Sequence, residues 1–452
     1  TMRYHMTVLP CSDGITALPG AQWLAEVLAW VPDGVDPWVW LAPDEDDAPA
    51  MVAWYERRRF TARGENGIEQ AWRQMVDWAR EQPEGTCPIA IGSFPFDRSD
   101  AGFLVVPQVL IMRRHVGAPT QVFGAEEPLT RARTCWPQDD SHIAARPVDG
   151  NLEIDEQSSD VSSLCSDAAD TGGHIVTSTP VITEEEWTTT VHRAVDELTS
   201  DRGLQKVVLA GAQDLTSDVP MNRAHVTAAL ARRFPGCWTY SADGLVGATP
   251  ELLVDCRDGL FRSRVLAGTR KPEWADELLD DPKEQHEHEL AVTSVLDKLA
   301  DAGVDTPAVH GPFQLRLTNV VHLATDITAH VDGSNAARIV DAMHPTAAVC
   351  GAPRSQAREL IAEVETLDRG RFAGPVGWMD TTGAGQWALA LRCGQFSTDS
   401  RQVRLFAGAG IMPTSDPHHE WIEIGAKMQA FSSVLETQPQ DDPCGIDRCE
   451  NP

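Results

Sequence analysis

Positive charge is scarce: the 452-residue chain carries 37 Lys and Arg against 67 Asp and Glu, a formal net charge of -30. Nucleic acids and anionic membranes are held by clustered cations that displace counterions, so this deficit argues strongly against both as partners. An anionic ligand must then be drawn in by a local site. Paired cysteines are lacking too. The ten cysteines are scattered without a C-x-x-C pair, which indicates neither a zinc ribbon nor a disulfide framework and fits a reducing cytoplasm. Cys444 and Cys449 sit in a polar tail and read as free thiols. Long apolar runs are missing as well: the most apolar early stretch, Trp23 to Leu41, is broken by Glu26, Pro32, Asp33, Asp36 and Pro37 and cannot span a bilayer. The first residues, Thr1-Met-Arg-Tyr-His, have neither the basic region nor the apolar core of a signal peptide.

What is present is enough apolar residue, 42%, for a substantial core, in one large domain or two to three ordinary ones. From Pro147 to His192 there is no Lys or Arg while Asp, Glu, Ser, Gly and Thr accumulate. Such composition cannot offset the entropy of ordering, so residues 149–173 are expected to form a mobile loop. Strand-like runs precede it (Pro88-Ile-Ala-Ile-Gly; Phe103-Leu-Val-Val-Pro-Gln-Val-Leu-Ile), and strand and helix patterns alternate after it. Lys206-Val-Val-Leu-Ala, Gly259 to Ala267 and Val403-Arg-Leu-Phe-Ala read as strands. Val292, Val295, Leu296 and Leu299 mark one helix; Ala357, Leu360, Ile361 and Val364 mark another, with Pro353 as its first-turn proline. A last helix starts near Asp416-Pro417, and the tail after Thr437 is polar. These patterns alone support a mixed α and β fold.

Two helical segments each present carboxylates three residues apart: Glu284 and Glu287, and Glu420 and Glu423. Residues at that spacing share a helix face, so each pair can aim at a common point, as a hard cation such as Mg²⁺ requires. The competing reading is a solvated acidic face paired with nearby lysines. A zinc protease site fits poorly, because His286-Glu-His288 lacks the spacing of H-E-x-x-H. Ala407-Gly-Ala-Gly410 reads as a tight turn whose glycines allow an anion close to the backbone. Gly247-Ala-Thr-Pro-Glu251 is a proline-fixed turn that delivers a carboxyl. Lys206 opens an apolar run; its ammonium is either confined in the interior or reaches solvent from a strand end.

In order along the chain, these segments resemble the chorismate-utilising enzymes, which include isochorismate, salicylate, anthranilate and aminodeoxychorismate synthases. The resemblance runs from Lys206 to Lys427 and adds Leu266-Ala-Gly-Thr-Arg, Val321-His-Leu, His344-Pro-Thr-Ala-Ala-Val-Cys-Gly, Arg369-Gly-Arg-Phe-Ala-Gly-Pro-Val-Gly-Trp and Ala390-Leu-Arg392. It implies an α+β fold, a single large domain over 1–436 with two stacked, mostly antiparallel sheets flanked by helices and a polar tail over 437–452. It implies no fused second enzyme, and a monomer is expected although no feature encodes oligomeric state. Lysine at 206 marks the members that use water as nucleophile. Gly92-Ser-Phe-Pro-Phe-Asp97, followed by Val105-Val-Pro107, is similar to siderophore-type isochorismate synthases. Two departures stand out: Gly211 where the family often has Arg, and Phe372 where many members have Tyr.

By that resemblance the chain isomerises chorismate to isochorismate in a cytoplasmic, Mg²⁺-dependent reaction, adding water at C2 and losing the C4 hydroxyl. Lys206 is implied as the base and Glu251 as the acid. Glu284, Glu287, Glu420 and Glu423 are implied as the metal set. Arg392 with Gly408 would hold the enolpyruvyl carboxylate, and Gly268 and Thr269 the ring carboxylate. His322 would line the ring, His344 set the turn before Pro345, and Thr346 contact substrate; Lys427 either binds a carboxylate or balances the glutamates. Salicylate synthase is the nearest rival, followed by anthranilate synthase and a catalytically silent member. Siderophore, menaquinone and salicylate supply are all compatible pathways.

Overall fold

The computed structural model describes residues 5–8, 18–46, 48–82, 88–124, 175–270, 272–304, 307–316, 320–331 and 335–435. The expected loop over 149–173 and the tail over 437–452 lie outside the described residues. Nineteen strands and eight α-helices are present among the described residues, an α+β architecture as the motifs implied. No helix among them is long and apolar enough to cross a membrane.

Every strand pair described is antiparallel. The pairings form one continuous network that divides at the long strand Gly102–Arg113. One arm passes through Ala50–Ala62, Trp38–Leu41, Trp238–Ala242, Leu245–Thr249, Cys393–Phe396 and Gln402–Ile411 to Lys206–Ser217. The other passes through Ile89–Ser93, Pro375–Asp380, Gly385–Leu389, Leu252–Arg257 and Leu260–Arg270 to Val321–His330. So the expected two sheets are arms of a single network.

The arms pack on each other because their inner faces are nearly continuous apolar sequence; Trp40, Trp238, Tyr240, Trp387 and Phe261 are all closed to solvent. A buried indole N–H needs an acceptor, and Trp40 Nε1 of the first arm finds Gln386 Oε1 of the second at 2.8 Å. Gln386 Nε2 in turn donates to Asp255, which Arg257 and Arg262 neutralise.

One helix from each arm flanks the region between them. Pro282–Asp301 packs on the Leu260–Arg270 strand, and Pro417–Leu435 packs on Gln402–Ile411. Both begin as local chemistry requires. Asp281 Oδ1 accepts from the backbone N–H of Lys283 (2.9 Å) and Glu284 (3.2 Å), with Pro282 in the first turn. Asp416 Oδ1 accepts from His419 N–H at 2.9 Å. Pro353 differs slightly from expectation: it is the cap residue before the Arg354–Val364 helix, because its extended backbone (ψ 144°) lies outside the helical range.

Candidate active site

A cleft of about 920 Å³, open solvent included, lies between the two arms and the two helices. Lys206, although not counted among its lining residues, is fully buried at its wall, where its ammonium meets Glu287 Oε1 at 2.8 Å. The confined alternative for this lysine is therefore the observed one. Its strand is fixed from behind by Glu365 and Arg369: Glu365 accepts from Ala210 N–H at 2.8 Å, and Arg369 donates to Val208 C=O at 2.7 Å. Gly211 has its own reason here. A Cβ at that position would lie 2.5 Å from Ile424 Cδ1 of the Pro417–Leu435 helix, so a larger residue requires that side chain to move.

Glu251 and Arg392 stand where the chain crosses from one arm to the other. Leu245–Thr249 of the first arm passes through Pro250 and Glu251 into Leu252–Arg257 of the second. Gly385–Leu389 of the second returns through Arg392 to Cys393–Phe396 of the first. The crossings are tied together, Ala248 N–H to Arg392 C=O and Leu389 N–H to Glu251 C=O. Arg392 adopts φ +48°, a left-handed conformation that costs a non-glycine residue roughly 1–2 kcal/mol and that the tied crossing enforces. Burial pushes the Glu251 carboxyl up to about 8 against the opposing influence of Lys206 and Lys427, so it is protonated at neutral pH.

Gly268 and Thr269 come from a bulge. The register with Val321–His330 slips between Ala267 and Thr269, and Gly268 takes φ +80°. The bulge turns Thr269 N–H onto Glu284 Oε2 at 2.8 Å. Thr269 Oγ1 lies 2.9 Å from His322 Nδ1, and Arg392 Nη2 lies 2.7 Å from His322 Nε2. An arginine can only donate, so Nε2 accepts and the proton sits on Nδ1. Burial, then Arg392 and Lys427, hold the imidazole well below its usual pKa, consistent with this neutral form.

All four glutamates line the cleft, so the solvated-face alternative fails. Burial and the neighbouring Glu287 raise the Glu284 carboxyl, and burial and Glu423 bring Glu420 to about 7. Glu287 goes the other way: burial would raise it, but contact with Lys206, joined by Lys283 and Lys427, leaves it lowered. Lysines accompany every one of them. Lys427 Nζ is 2.6 Å from Glu423 Oε1 and also donates to Gly408 C=O at 2.9 Å, so in this structure it balances a glutamate. Lys283 Nζ lies 3.9 Å from Glu284 Oε1 and 3.7 Å from Glu420 Oε1. Among the described residues no three acidic, His or Cys side chains already converge as a metal-holding group.

Gly268, Thr269, His322, Arg392, Gly408 and Lys427 line this same cleft with Glu251. Thr346 does not join them: it is buried, its hydroxyl has no hydrogen-bond partner among the described residues, and its carbonyl instead accepts from Val349 and Cys350. His344 also lies away from the cleft, buried before Pro345, with Nε2 on Ala373 C=O at 2.9 Å. Phe372 is in the wall, stacked on Phe406 with centroids 5.3 Å apart. Sequence reasoning gave no role to Lys283 or to His288, which anchors its helix through Ala267 C=O (3.1 Å) and Thr325 Oγ1 (2.7 Å). The signal for Lys283 was present, one position before Glu284 in the same motif.

The family model described as chorismate binding enzyme matches residues 38–436, which takes in every residue of this cleft. The chain belongs to the chorismate-binding enzymes. Among the relatives of this family member, the isochorismate synthase EntC of Escherichia coli K12 is 35% identical over 252 residues, 53% of this chain and 64% of that protein. The match thus spans just under two thirds of that relative. The solved structure of MenF, the menaquinone-specific isochorismate synthase from Escherichia coli, is similar with a TM-score of 0.73 and 26% identity over 96% of this chain and 95% of that one. Anthranilate synthase component I from Streptococcus pneumoniae, 18% identical, shares the fold with a TM-score of 0.65 over 85% of this chain and 92% of its own.

Proposed function

We propose that this enzyme converts chorismate to isochorismate, with Lys206 and Glu251 as the proton acceptor and donor. The observation that carries the reading is their placement: a buried lysine at the wall of the cleft, and a carboxyl protonated at neutral pH on the crossing between the arms. The reaction needs both at once. Water forms a bond to ring C2 while Lys206 takes its proton; the ring double bonds shift, the C4–O bond breaks, and Glu251 protonates the departing hydroxyl, which leaves as water. The proton held by Lys206 then restores Glu251. To accept it, Lys206 must stand as a neutral amine, so the ammonium that meets Glu287 at 2.8 Å first gives up one proton to solvent. Arg392, fixed by His322, can hold a substrate carboxylate through two parallel N–H bonds.

The glutamates fit Mg²⁺. They offer the hard oxygen donors it takes, and the upward shifts of Glu284 and Glu420, caused first by burial and then by a neighbouring carboxylate, mark negative charge that a divalent cation would offset. Glu284, Glu287, Glu420 and Glu423 would hold it, and when bound it would offset the charge of a substrate carboxylate and act as a Lewis acid on the shifting π-system. Thr269 N–H and Ser415 Oγ–H pre-orient Glu284 and Glu420 through bonds of 2.8 and 2.7 Å.

Purified enzyme incubated with chorismate and Mg²⁺ should release isochorismate, followed by chromatography and proton NMR. Salicylate and pyruvate accumulating on prolonged incubation would replace this reading with salicylate synthesis. Activity that survives exhaustive chelation would make the glutamates structural.

A further inference from the structure

The lysines of the cleft are not equivalent. Lys206 is tied to Glu287 at 2.8 Å with its side chain 1% exposed, and Lys427 is tied to Glu423 at 2.6 Å with 19% exposed. Each of these distances is that of a charge-assisted hydrogen bond. Lys283 differs on both counts. Its ammonium docks on neither neighbour, lying 3.9 Å from Glu284 Oε1 and 3.7 Å from Glu420 Oε1, and its side chain is 40% exposed. Adjacent residues on a helix do not face each other, so Lys283 reaches this position by extending across the cleft toward the opposite helix. It stands between one carboxylate of each pair, and its stem has an open route to solvent.

The anchoring of those two carboxylates strengthens the contrast. Glu284 Oε2 is held by Thr269 N–H and Glu420 Oε1 by Ser415 Oγ–H, so they stay in place whether or not the lysine does. Moving Lys206 would require opening a closed core; moving Lys283 requires rotation of a flexible, partly solvated chain.

We infer that Lys283 is a displaceable internal counter-cation: it neutralises Glu284 and Glu420 while the cleft is metal-free, and leaves for solvent when a divalent cation takes its place. This rests on the reading of the four glutamates as the metal set. Lys283 then competes with the metal, lowering its affinity while protecting the empty cleft from carboxylate repulsion. It is a positioning residue and takes no part in the proton transfers.

Full-length enzyme stripped of metal should be titrated with magnesium chloride by calorimetry, alongside Lys283→Met, Lys283→Gln and Lys283→Arg. Removing the charge should tighten Mg²⁺ binding roughly fivefold to tenfold, the scale of a partly exposed ion pair shared by two carboxylates. The same two neutral variants should melt earlier than wild type without metal and gain more from saturating Mg²⁺, whereas Lys283→Arg should stay near wild type in both measurements. Wild type that binds Mg²⁺ with neutral variants binding equally or more weakly would overturn the counter-cation role alone. Wild type that binds no Mg²⁺ would overturn the metal reading, and this inference with it.

Discussion

Glu251 and Glu287 belong to one cleft and are both largely withdrawn from water, with side chains or residues 5% and 13% exposed, yet their carboxyls are driven in opposite directions. Glu251 rises to about 8 and Glu287 falls. Desolvation raises both; the difference is contact. Lys206 touches Glu287 at 2.8 Å, while Glu251 feels Lys206 and Lys427 only through space. The geometry of the arms decides this, since Glu251 stands at a crossing between the arms and Glu287 on a helix packed on the Leu260–Arg270 strand, within reach of the Lys206 ammonium. One wall of the cleft can therefore carry a proton while the other carries fixed negative charge.

The strongest challenge to this contrast is Lys206→Ala. It should reduce turnover by about 10³-fold while calorimetry still detects chorismate binding, because it removes the proton acceptor and leaves the substrate-holding groups. Undiminished turnover would end the base assignment. Glu251→Gln should cost about 10²-fold in kcat and leave Mg²⁺ binding intact, since the acid is distinct from the metal set. Wild-type activity should fall as pH rises through about 8, where the raised Glu251 carboxyl loses its proton, and this alkaline limb should be absent in the residual activity of the variant. An unchanged pH profile would assign the limb to another group.

Gly410→Ala sharpens the comparison without touching either charge. A Cβ there would collide with Glu287 Oε1 and lie 3.0 Å from Lys206 Cε, so Glu287 must shift and the ion pair is displaced. A loss of about tenfold in kcat, with chorismate affinity retained, is expected from a displacement of this kind. Arg392→Lys should have the smallest effect, raising KM about threefold with little change in kcat, since a single ammonium cannot replace the bidentate guanidinium. Steady-state kinetics would separate the two, and a fall in kcat alone for Arg392→Lys would move that arginine from binding into the chemistry.

Much of the site was legible because helical periodicity is local. Glu284 and Glu287 on one face, and Glu420, Glu423 and Lys427 on another, follow from spacing alone, and the structure turns both faces into the cleft. The strand read over Gly259 to Ala267 lies within three residues of its extent, Leu260–Arg270, whereas Lys206-Val-Val-Leu-Ala caught only the first part of Lys206–Ser217. The crossings that carry Glu251 and Arg392 were not legible as crossings. Antiparallel strands read alike whichever arm they join, and nothing local announces a left-handed arginine. Thr346 shows the opposite limit: its motif neighbours Ala348 and Val349 line the cleft and it does not, a matter of backbone path that spacing does not contain.

The sequence by itself determined which residues could meet on a helix face, where the helices start, and which family the chain belongs to, because each depends on neighbours within a few positions or on motifs in order. The tertiary structure alone decided the pairing of those charges: Lys206 with Glu287, Lys427 with Glu423, Lys283 between two helices, and Glu251 with no ammonium in contact. The reason is electrostatic. In a cleft closed to water, protonation and mobility depend on ångström-scale distances between groups far apart in the chain, and the packing of the two arms sets those distances.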